Sequence, residues 1–388
     1  MIIGTLAGSA SAFFLWTLDW VTKTREDHSW LLYLLPLGGL LVVFLYSRYG
    51  HKIERGNNLI LEEIHQPQAV IPFRMAPLVY AGTLLTHLFG GSAGREGTAI
   101  QMAAALADRW AAVFRKFAID RQQILMMGMS AGFASVFGTP LAGAVFGLEV
   151  LTIGRIRYSA LLPCLLSAII AHAVCLAWGI THTSYSVVIV PDLNATSLLQ
   201  ALIAGALFGL CAWIFSTSQH HLSNYLNRSI NSPYVRVVLG AFVIIALSLI
   251  VQTERYLGLG IPVIADSFYH PSASYDFALK ILFTVITLSV GFKGGEVTPL
   301  FFIGATLGSF LSTIFTLPTG LLAGMGFVAV FAGAANTPLA SLLMALEMFG
   351  SAPAIYMAIA CITSYIFSGH TGIYSSQKIE VRKYAEKN

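Results

Sequence analysis

Glu96 is the residue of this chain whose type and surroundings most clearly suggest chemistry. It lies in GSAGREGTAIQ (91–101), which predicts a glycine-rich turn leading into a helix, between the uncharged runs 75–94 and 97–107. Glycines let a backbone present its N–H groups, and a helix start carries partial positive charge, so this pattern is typical of an anion site. A carboxylate there can occupy the site as a tethered anion and leave it on protonation. One residue could therefore gate an anion path and carry a proton.

Two other interpretations of this segment can be weighed from the sequence. A phosphate-binding loop would continue with Gly-Lys-Ser/Thr inside a nucleotide domain, and neither is present here. A purely structural Glu96 would be salt-bridged to Arg95. Adjacent residues on a helix point in different directions, which weakens that pairing.

A second glycine-flanked glutamate, Glu296, lies in GFKGGEVTPLF (291–301). The glycines again offer backbone donors, and Pro299 suits the first turn of a helix. A fixed negative charge would repel an anion. Glu296 is therefore predicted either to handle protons or to play a structural role, bonded to the amides of a helix start.

The chain repeats itself. The segment TPLAGAVFGLEV (139–150) matches TPLASLLMALEM (337–348) at six of twelve positions, with a shift of 198 residues (337 − 139). Glu96 and Glu296 are 200 residues apart (296 − 96), so both elements recur at nearly one spacing. Two similar halves are typical of secondary transporters, although the spacing does not distinguish inverted from parallel halves. The duplicated Glu149 and Glu347 are predicted to bond to the end of a neighbouring helix.

Composition places these elements in a membrane. Of the 388 residues, 56% are hydrophobic and 10% are charged, whereas an average soluble protein has about 25% charged residues. A membrane-spanning helix needs about 20 apolar residues. Runs without Asp, Glu, Lys or Arg that meet this length cover 122–148, 158–191, 193–227, 297–346 and 348–377. The predicted fold class is an all-α polytopic membrane protein, and a soluble binding module is excluded.

The apolar runs also predict the helices that position the two glutamates. These are expected near 2–21, 29–48, 75–89, 96–113, 121–136, 139–153, 158–178, 197–217, 233–252, 276–291, 296–314, 317–334, 337–350 and 352–368. Several are too short to span a bilayer, which predicts discontinuous, tilted helices that meet near the midplane. Residues 1–190 are predicted to form the first membrane repeat, 191–377 the second, and 378–388 a short cytoplasmic tail.

The placement of charge predicts location and excludes other functions. Basic residues collect in short connections and near the C-terminus, so these segments are predicted to face the cytoplasm: Arg48, Lys52, Arg55, Arg115, Lys116, Arg121, Arg155, Arg157, Lys378, Arg382 and Lys383. The predicted location is a cell membrane, multi-pass, of the bacterial inner-membrane type. No pattern suggests nucleic acid, a metal or another cofactor, and no catalytic cluster of a membrane-embedded enzyme is present.

At these residues the sequence resembles the CLC family of chloride channels and anion/proton antiporters. The family segments G-S-G-I-P, G-R-E-G-P and G-G-x-F-x-P correspond to GNNLI (56–60), GREGT (94–98) and GGEVTP (294–299), and the family's C-terminal tyrosine corresponds to Tyr374. The resemblance covers essentially the whole chain. It implies a homodimer with a separate pore in each subunit and two inverted halves. It also implies that Glu96 is the gating glutamate and that the Tyr374 hydroxyl faces the ion.

Departures from the chloride-type pattern resemble the fluoride/proton antiporter branch of that family. Asn57 replaces a serine, Glu296 and Val297 replace an aliphatic residue and a phenylalanine, Thr98 replaces a proline, and Val150 stands where chloride exchangers have an internal proton-transfer glutamate. An asparagine amide offers two N–H donors to a tightly hydrated anion. The same amide could instead cap a helix from residue 59 onward.

The predicted function is export of fluoride from the cytoplasm across the lipid bilayer in exchange for protons. Glu96 is predicted to be the gate and proton carrier, and Glu296 a second proton or ion-site group. The predicted anion-binding residues are Asn57, Ile60, Arg95, Gly97, Val297, Thr298 and Tyr374. A chloride/proton exchanger and a passive anion channel of the same family remain as alternatives.

Overall fold

The computed structural model describes residues 1–114 and 120–384, and most of them are helical. The first half contains α1 (Ile2–Asp27), α2 (Leu35–Tyr49), α3 (Asn57–His65), α4 (Met75–Leu88), α5 (Glu96–Arg109), α6 (Ala111–Phe114), α7 (Arg121–Phe137), α8 (Pro140–Glu149) and α9 (Leu161–Ala177). The second half contains α10 (Ala195–Ser229), α11 (Pro233–Val251), α12 (Ile261–Asp266), α13 (Asp276–Ser289), α14 (Val297–Leu311), α15 (Thr319–Ala335), α16 (Pro338–Phe349) and α17 (Ala354–Phe367). Short 3₁₀ turns (Ser29–Leu34, Tyr158–Ala160) precede α2 and α9, and the strands β1 (Thr152–Ile153) and β2 (Lys378–Ile379) pair in parallel.

Five helical segments are long and apolar enough to cross a membrane, counted over the described residues. They are Ile2–Asp27, Ser29–Tyr49, Tyr158–Ala177, Ala195–Ser229 and Pro233–Val251. The shorter apolar helices include α4, α14, α15 and α17, and α5 and α14 are almost entirely buried. The structure thus confirms an all-α polytopic fold in which short helices are surrounded by longer ones that present apolar side chains outward.

Several helix predictions need correction. The predicted helix at 197–217 continues to Ser229 in α10, although its last turns carry polar residues such as Gln219. The predicted helix 96–113 breaks at Trp110 into α5 and α6. The predicted set also omits α3 and α12. Nine residues that include Glu62 and Glu63, and six residues flanked by glycine and serine, leave no apolar run long enough to be read as a helix.

The two halves are inverted with respect to each other. The carboxylate of Glu149, at the end of α8, accepts hydrogen bonds from the N–H groups of Leu339 (3.0 Å) and Ala340 (2.8 Å) at the start of α16. Glu347, near the end of α16, accepts them from Leu141 and Ala142 at the start of α8, both at 2.8 Å. Each helix therefore starts where the other ends. This exchange confirms the structural role predicted for both glutamates.

Glycines allow the helices behind the second glutamate to approach each other closely. A Cβ added to Gly304 on α14 would lie 2.0 Å from the carbonyl oxygen of Gly326 on α15, and one added to Gly308 would lie 2.0 Å from that of Leu322. In the first half, Gly132 on α7 comes similarly close to Ala99 on α5, where a Cβ would lie 2.8 Å from the carbonyl oxygen. Small residues at such spacings allow helix backbones to pack in contact within a membrane.

Candidate functional site

The two glycine-flanked glutamate segments meet at the centre of the molecule. Gly94 and Gly295 form an antiparallel bridge in which each backbone N–H donates to the other's carbonyl, at 2.6 Å and 2.8 Å. A Cβ on Gly94 would lie 2.8 Å from Glu96 Oε2, and one on Gly295 would lie 2.9 Å from the Gly97 nitrogen. Glycine is required at both positions because the two backbones and the Glu96 carboxylate occupy this space.

Glu96 is the first residue of α5, but its carboxylate binds the start of α14. Its Oε2 accepts the backbone N–H of Thr298 at 3.1 Å, and its Oε1 accepts the Thr298 hydroxyl. The backbone N–H of Arg95 also donates to Oε2, at 3.1 Å. The residue is 1% exposed. A buried carboxylate held by helix-start donors of the opposite half stands where a free anion of the same charge could be held.

Arg95 lies closer to Glu96 than the sequence prediction allows. Its Nε is 3.8 Å from Glu96 Oε1, so the two side chains do face each other, although this distance is too long for a hydrogen bond. The prediction of diverging side chains is wrong because Arg95 is the N-cap of α5, with φ −117° and ψ −20°, and precedes the regular helix. Arg95 therefore adds positive charge beside the carboxylate as well as a backbone donor.

A small outer cavity of about 30 Å³ adjoins Glu96 on one side. Its polar lining includes Arg95, Glu96, His182 and Thr298, and aromatic rings close much of the remainder: Phe137, Tyr185, Phe301 and Phe327. A larger depression of about 710 Å³, lined in part by Arg95 and His182, lies next to it. Glu96 thus stands between this side of the protein and the donors of α14.

A separate inner cavity of about 150 Å³ contains the second glutamate. It is lined by Asn57, Gln101, Gln219, Lys293, Glu296 and Tyr374, among others. Gln219 Nε2 donates to Glu296 Oε1 at 3.3 Å. The Tyr374 hydroxyl is buried without a hydrogen-bond partner among the described residues, so it is free to donate to an occupant of this cavity.

The side chain of Glu296 does not cap α14, the structural role considered from the sequence. Glu296 is the N-cap of α14, yet its side chain makes no capping bond and contacts Gln219 instead. Pro299 lies in the first turn of α14, as predicted. A carboxylate that could cap its own helix but reaches into a polar cavity is available for proton transfer.

The capping role considered for Asn57 is wrong. The helix α3 begins at Asn57 itself, its N-cap is Gly56 with φ 54°, and no side chain caps it. Asn57 Oδ1 has no partner in the described part of the chain, and its Nδ2 lies 3.0 Å from where a Gly97 Cβ would be. The amide therefore faces the junction between α3, α5 and the inner cavity.

The other predicted anion-binding residues separate into two groups. Thr298 binds the Glu96 carboxylate directly. Because Gly97 has no side chain, Asn57 and Gly295 can approach its backbone closely. Ile60 and Val297 are both 0% exposed in the apolar core, and they are not among the described residues that line either cavity. Only their backbone groups could serve an anion.

The sequence predictions miss several residues of the inner cavity, among them Gln101, Gln219 and Lys293. Gln101 lies four residues after Gly97, where a polar side chain interrupts the apolar run of α5, and this could have indicated a cavity-facing position. Gln219 falls beyond the predicted end of its helix. Lys293 lies inside the GFKGGEVTPLF segment, but the pattern of that segment assigns anion chemistry to its glycines and its glutamate and gives no role to the lysine.

The inverted halves and the two glutamates at their junction define a class of proteins, the helical membrane proteins with an inverted repeat and a polar site between the halves. A model of the family described as "Voltage gated chloride channel" matches residues 38–369. The chain therefore belongs to this family, the CLC family of membrane anion channels and anion/proton exchangers.

Similarity to individual members is extensive. A "Chloride/fluoride channel protein" of Pseudomonas syringae pv. tomato is 51% identical over 389 residues, covering 99% of this chain and 86% of the relative. The "H(+)/Cl(-) exchange transporter ClcA" of Vibrio campbellii is 26% identical over 380 residues, 89% of this chain and 80% of the relative. The solved structure of "a CLC-type fluoride/proton antiporter" superposes with a TM-score of 0.94 at 38% identity, covering 98% of this chain and 96% of that one.

Proposed function

We propose that this protein exports fluoride from the cytoplasm in exchange for protons, with Glu96 as both gate and proton carrier. The observation that carries the proposal is the Glu96 carboxylate, bound to the backbone N–H and hydroxyl of Thr298 at the start of α14. A carboxylate and a free anion compete for these donors. Protonation removes the charge that holds the side chain there, so anion entry requires a proton on Glu96.

The choice of fluoride is supported by the character of the donors and by the relatives. Fluoride is small and loses hydration at high cost, so its site must supply strong hydrogen-bond donors. The Thr298 hydroxyl, the Asn57 amide and the Tyr374 hydroxyl are of this kind. The similar solved structure is that of a CLC-type fluoride/proton antiporter, and the relative that is 51% identical is named a chloride/fluoride channel protein.

The remaining roles follow from the two cavities. Asn57 and Tyr374 would donate to the anion in the inner cavity, and Glu296, next to Gln219, would pass protons between that cavity and Glu96. As in other family members, we propose a homodimer in the bacterial inner membrane with one such path in each subunit. The membrane repeats 1–190 and 191–377 would each contribute one glutamate to the path, and residues 378–388 would face the cytoplasm.

Transport by purified protein in liposomes tests the proposal. Vesicles loaded with fluoride should release it into fluoride-free medium while taking up protons, and vesicles loaded with chloride should release it far more slowly. A preference for chloride would contradict fluoride export and favour a chloride/proton exchanger. Anion release without proton uptake would contradict exchange and favour a passive anion channel.

The role of Glu96 is tested separately by Glu96→Gln. The amide is neutral at every pH and cannot carry the proton, so fluoride-driven proton uptake should be abolished. Glu380→Gln is the matched control, because Glu380 is exposed and lines neither of the two cavities nor the larger depression beside Arg95. Proton uptake that survives in Glu96→Gln at the level of this control would show that the proton travels by another group.

A further inference from the structure

We propose that Lys293 is the anion-capture residue of the inner cavity, where its ammonium group compensates the charge of Glu296 and lets an anion enter. The proposal rests on the proposed function and adds to it a residue outside the matched family motifs. In the proposed cycle the carboxylate of Glu296 lies beside the anion path, and a second negative charge must come next to it each time an anion passes. The repulsion between Glu296 and an entering anion must therefore be compensated by a nearby positive charge.

Lys293 is held in the cavity wall by two helices of the first half. Its backbone N–H donates to the Thr86 hydroxyl on α4 at 3.2 Å. Its stem packs on α4, where a Cβ added to Gly82 would lie 3.1 Å from Lys293 Cβ. The ammonium nitrogen is 4.3 Å from the centre of the Tyr46 ring on α2. The cation therefore has a fixed position, although it extends from a loop.

Within the described part of the chain, the ammonium group of Lys293 is not engaged in a direct ion pair. No carboxylate of the described residues comes within salt-bridge distance of its ammonium group. By contrast, Arg55, the other cation among the described residues that line the cavity, is paired with Glu62. An aromatic face attracts a cation without cancelling its charge. Lys293 thus remains available to an anion that enters the cavity.

The remaining charged groups of the lining show why this cation is needed. Glu54 and Glu296 are the carboxylates among the described lining residues, and Glu54 is exposed to solvent at the rim. The polar side chains of Asn57, Gln101, Gln219 and Tyr374 can donate hydrogen bonds, but they carry no net charge. Lys293 and Glu296, three residues apart on one loop, form a unit of zero net charge. An anion meets no net repulsion from this unit.

The test is the concentration dependence of fluoride transport when fluoride is supplied to the inner-cavity side of oriented proteoliposomes. Lys293→Met should raise the KM for fluoride by about tenfold or more, because a nearby charge acting through protein has an effect of that size. The number of protons per fluoride should not change. Lys293→Arg, which keeps the charge, should retain a KM near that of the wild type. Lys378→Met is the matched control, since it removes an exposed lysine from outside the inner cavity.

Two further variants keep the proposal falsifiable. Lys293→Gln is a second neutral variant with a polar end, and it should raise the KM as Lys293→Met does. Fluoride binding to detergent-solubilised protein, titrated with sodium fluoride by calorimetry, should weaken in Lys293→Met and recover in Lys293→Met/Glu296→Gln, where the repelling carboxylate is also gone. A wild-type KM in a folded neutral variant overturns the proposal. A KM in Lys293→Arg as high as in Lys293→Met also overturns it.

Failure of this inference is distinguishable from failure of the proposed function. If the wild type does not exchange fluoride for protons, the proposed function fails. If it does exchange them and neutral Lys293 variants keep a wild-type KM, only the role of Lys293 fails.

Discussion

At the scale of single residues, the position of the Glu96 carboxylate depends on Thr298, which supplies both a backbone and a side-chain donor. Hydrogen bonds to charged groups contribute about 1.5–3 kcal/mol each, so the hydroxyl is a substantial part of this binding. In the proposed mechanism, a free anion that replaces the carboxylate would bind the same donors. Fluoride is a stronger hydrogen-bond acceptor than chloride and gains more from the hydroxyl.

Thr298→Val should therefore narrow the preference for fluoride over chloride while leaving the fold intact, because valine has nearly the shape of threonine without the hydroxyl. We expect the ratio of fluoride to chloride transport rates to fall by about tenfold or more. The measurement is anion efflux from matched vesicles, with Thr298→Ser as the control that keeps the donor. An unchanged ratio in Thr298→Val would show that the hydroxyl does not contribute to the selection of fluoride over chloride.

At the scale of helices, the reciprocal bonds between α8 and α16 hold the two halves together beside the site. Each carboxylate satisfies two N–H groups that an α-helix leaves without internal partners at its start. The environments differ, since Glu149 is 7% exposed and Glu347 is only partly buried. Loss of a hydrogen bond costs more where water cannot replace the missing partner.

Glu149→Ala should consequently lower the midpoint of thermal unfolding more than Glu347→Ala does. A buried donor left without a partner costs about 1–3 kcal/mol, whereas water can reach part of the second site. The midpoints can be compared by fluorescence in the same detergent. Equal shifts, or a larger shift for Glu347→Ala, would contradict the assignment of the buried cap to Glu149.

The elements show how far a sequence can be interpreted alone. Charge-free runs predict most helices, because a membrane requires about 20 apolar residues and excludes most charges. They do not predict α3 and α12, which are too short, or the end of α10, which is polar. The motifs locate Glu96 and Glu296. They cannot indicate that Glu96 binds the start of α14, because that contact joins residues 202 positions apart.

At the scale of the whole molecule, the C-terminal segment is tied to both halves. β2 pairs with β1 of the first half, and Gln377 donates to the carbonyls of Val150 and Ala335. The ammonium group of Lys383 donates to Asn336 Oδ1 and to the carbonyl of Tyr365, both at 2.6 Å, at the ends of α15 and α17. This docking fixes the segment that follows Tyr374 and thereby limits how far the tyrosine can move.

Lys383→Met should release this segment, because methionine keeps the length of the side chain but cannot donate to those oxygens. Trypsin should then cleave after Lys378 faster than in the wild type, since proteolysis requires local opening. The measurement is limited proteolysis followed by mass spectrometry, with Lys383→Arg as the control that retains donors. Equal cleavage rates in Lys383→Met and Lys383→Arg would show that the ammonium group does not hold the segment.

The reciprocal hydrogen bonds of Glu149 and Glu347 to the helix starts of α16 and α8 bear on how the chain evolved. Consider two identical half-length chains inserted into a bilayer in opposite orientations. The glutamate of each chain would accept hydrogen bonds from the helix start of the other, and a two-fold axis would relate the two sets of bonds. The Gly94–Gly295 bridge has this symmetry as well, since each glycine donates to and accepts from the other. Gene duplication and fusion of a half-length ancestor that inserted in both directions would yield this architecture directly. Differences between the halves, such as Glu296 entering one cavity while Glu96 faces the other, would then have arisen after the fusion.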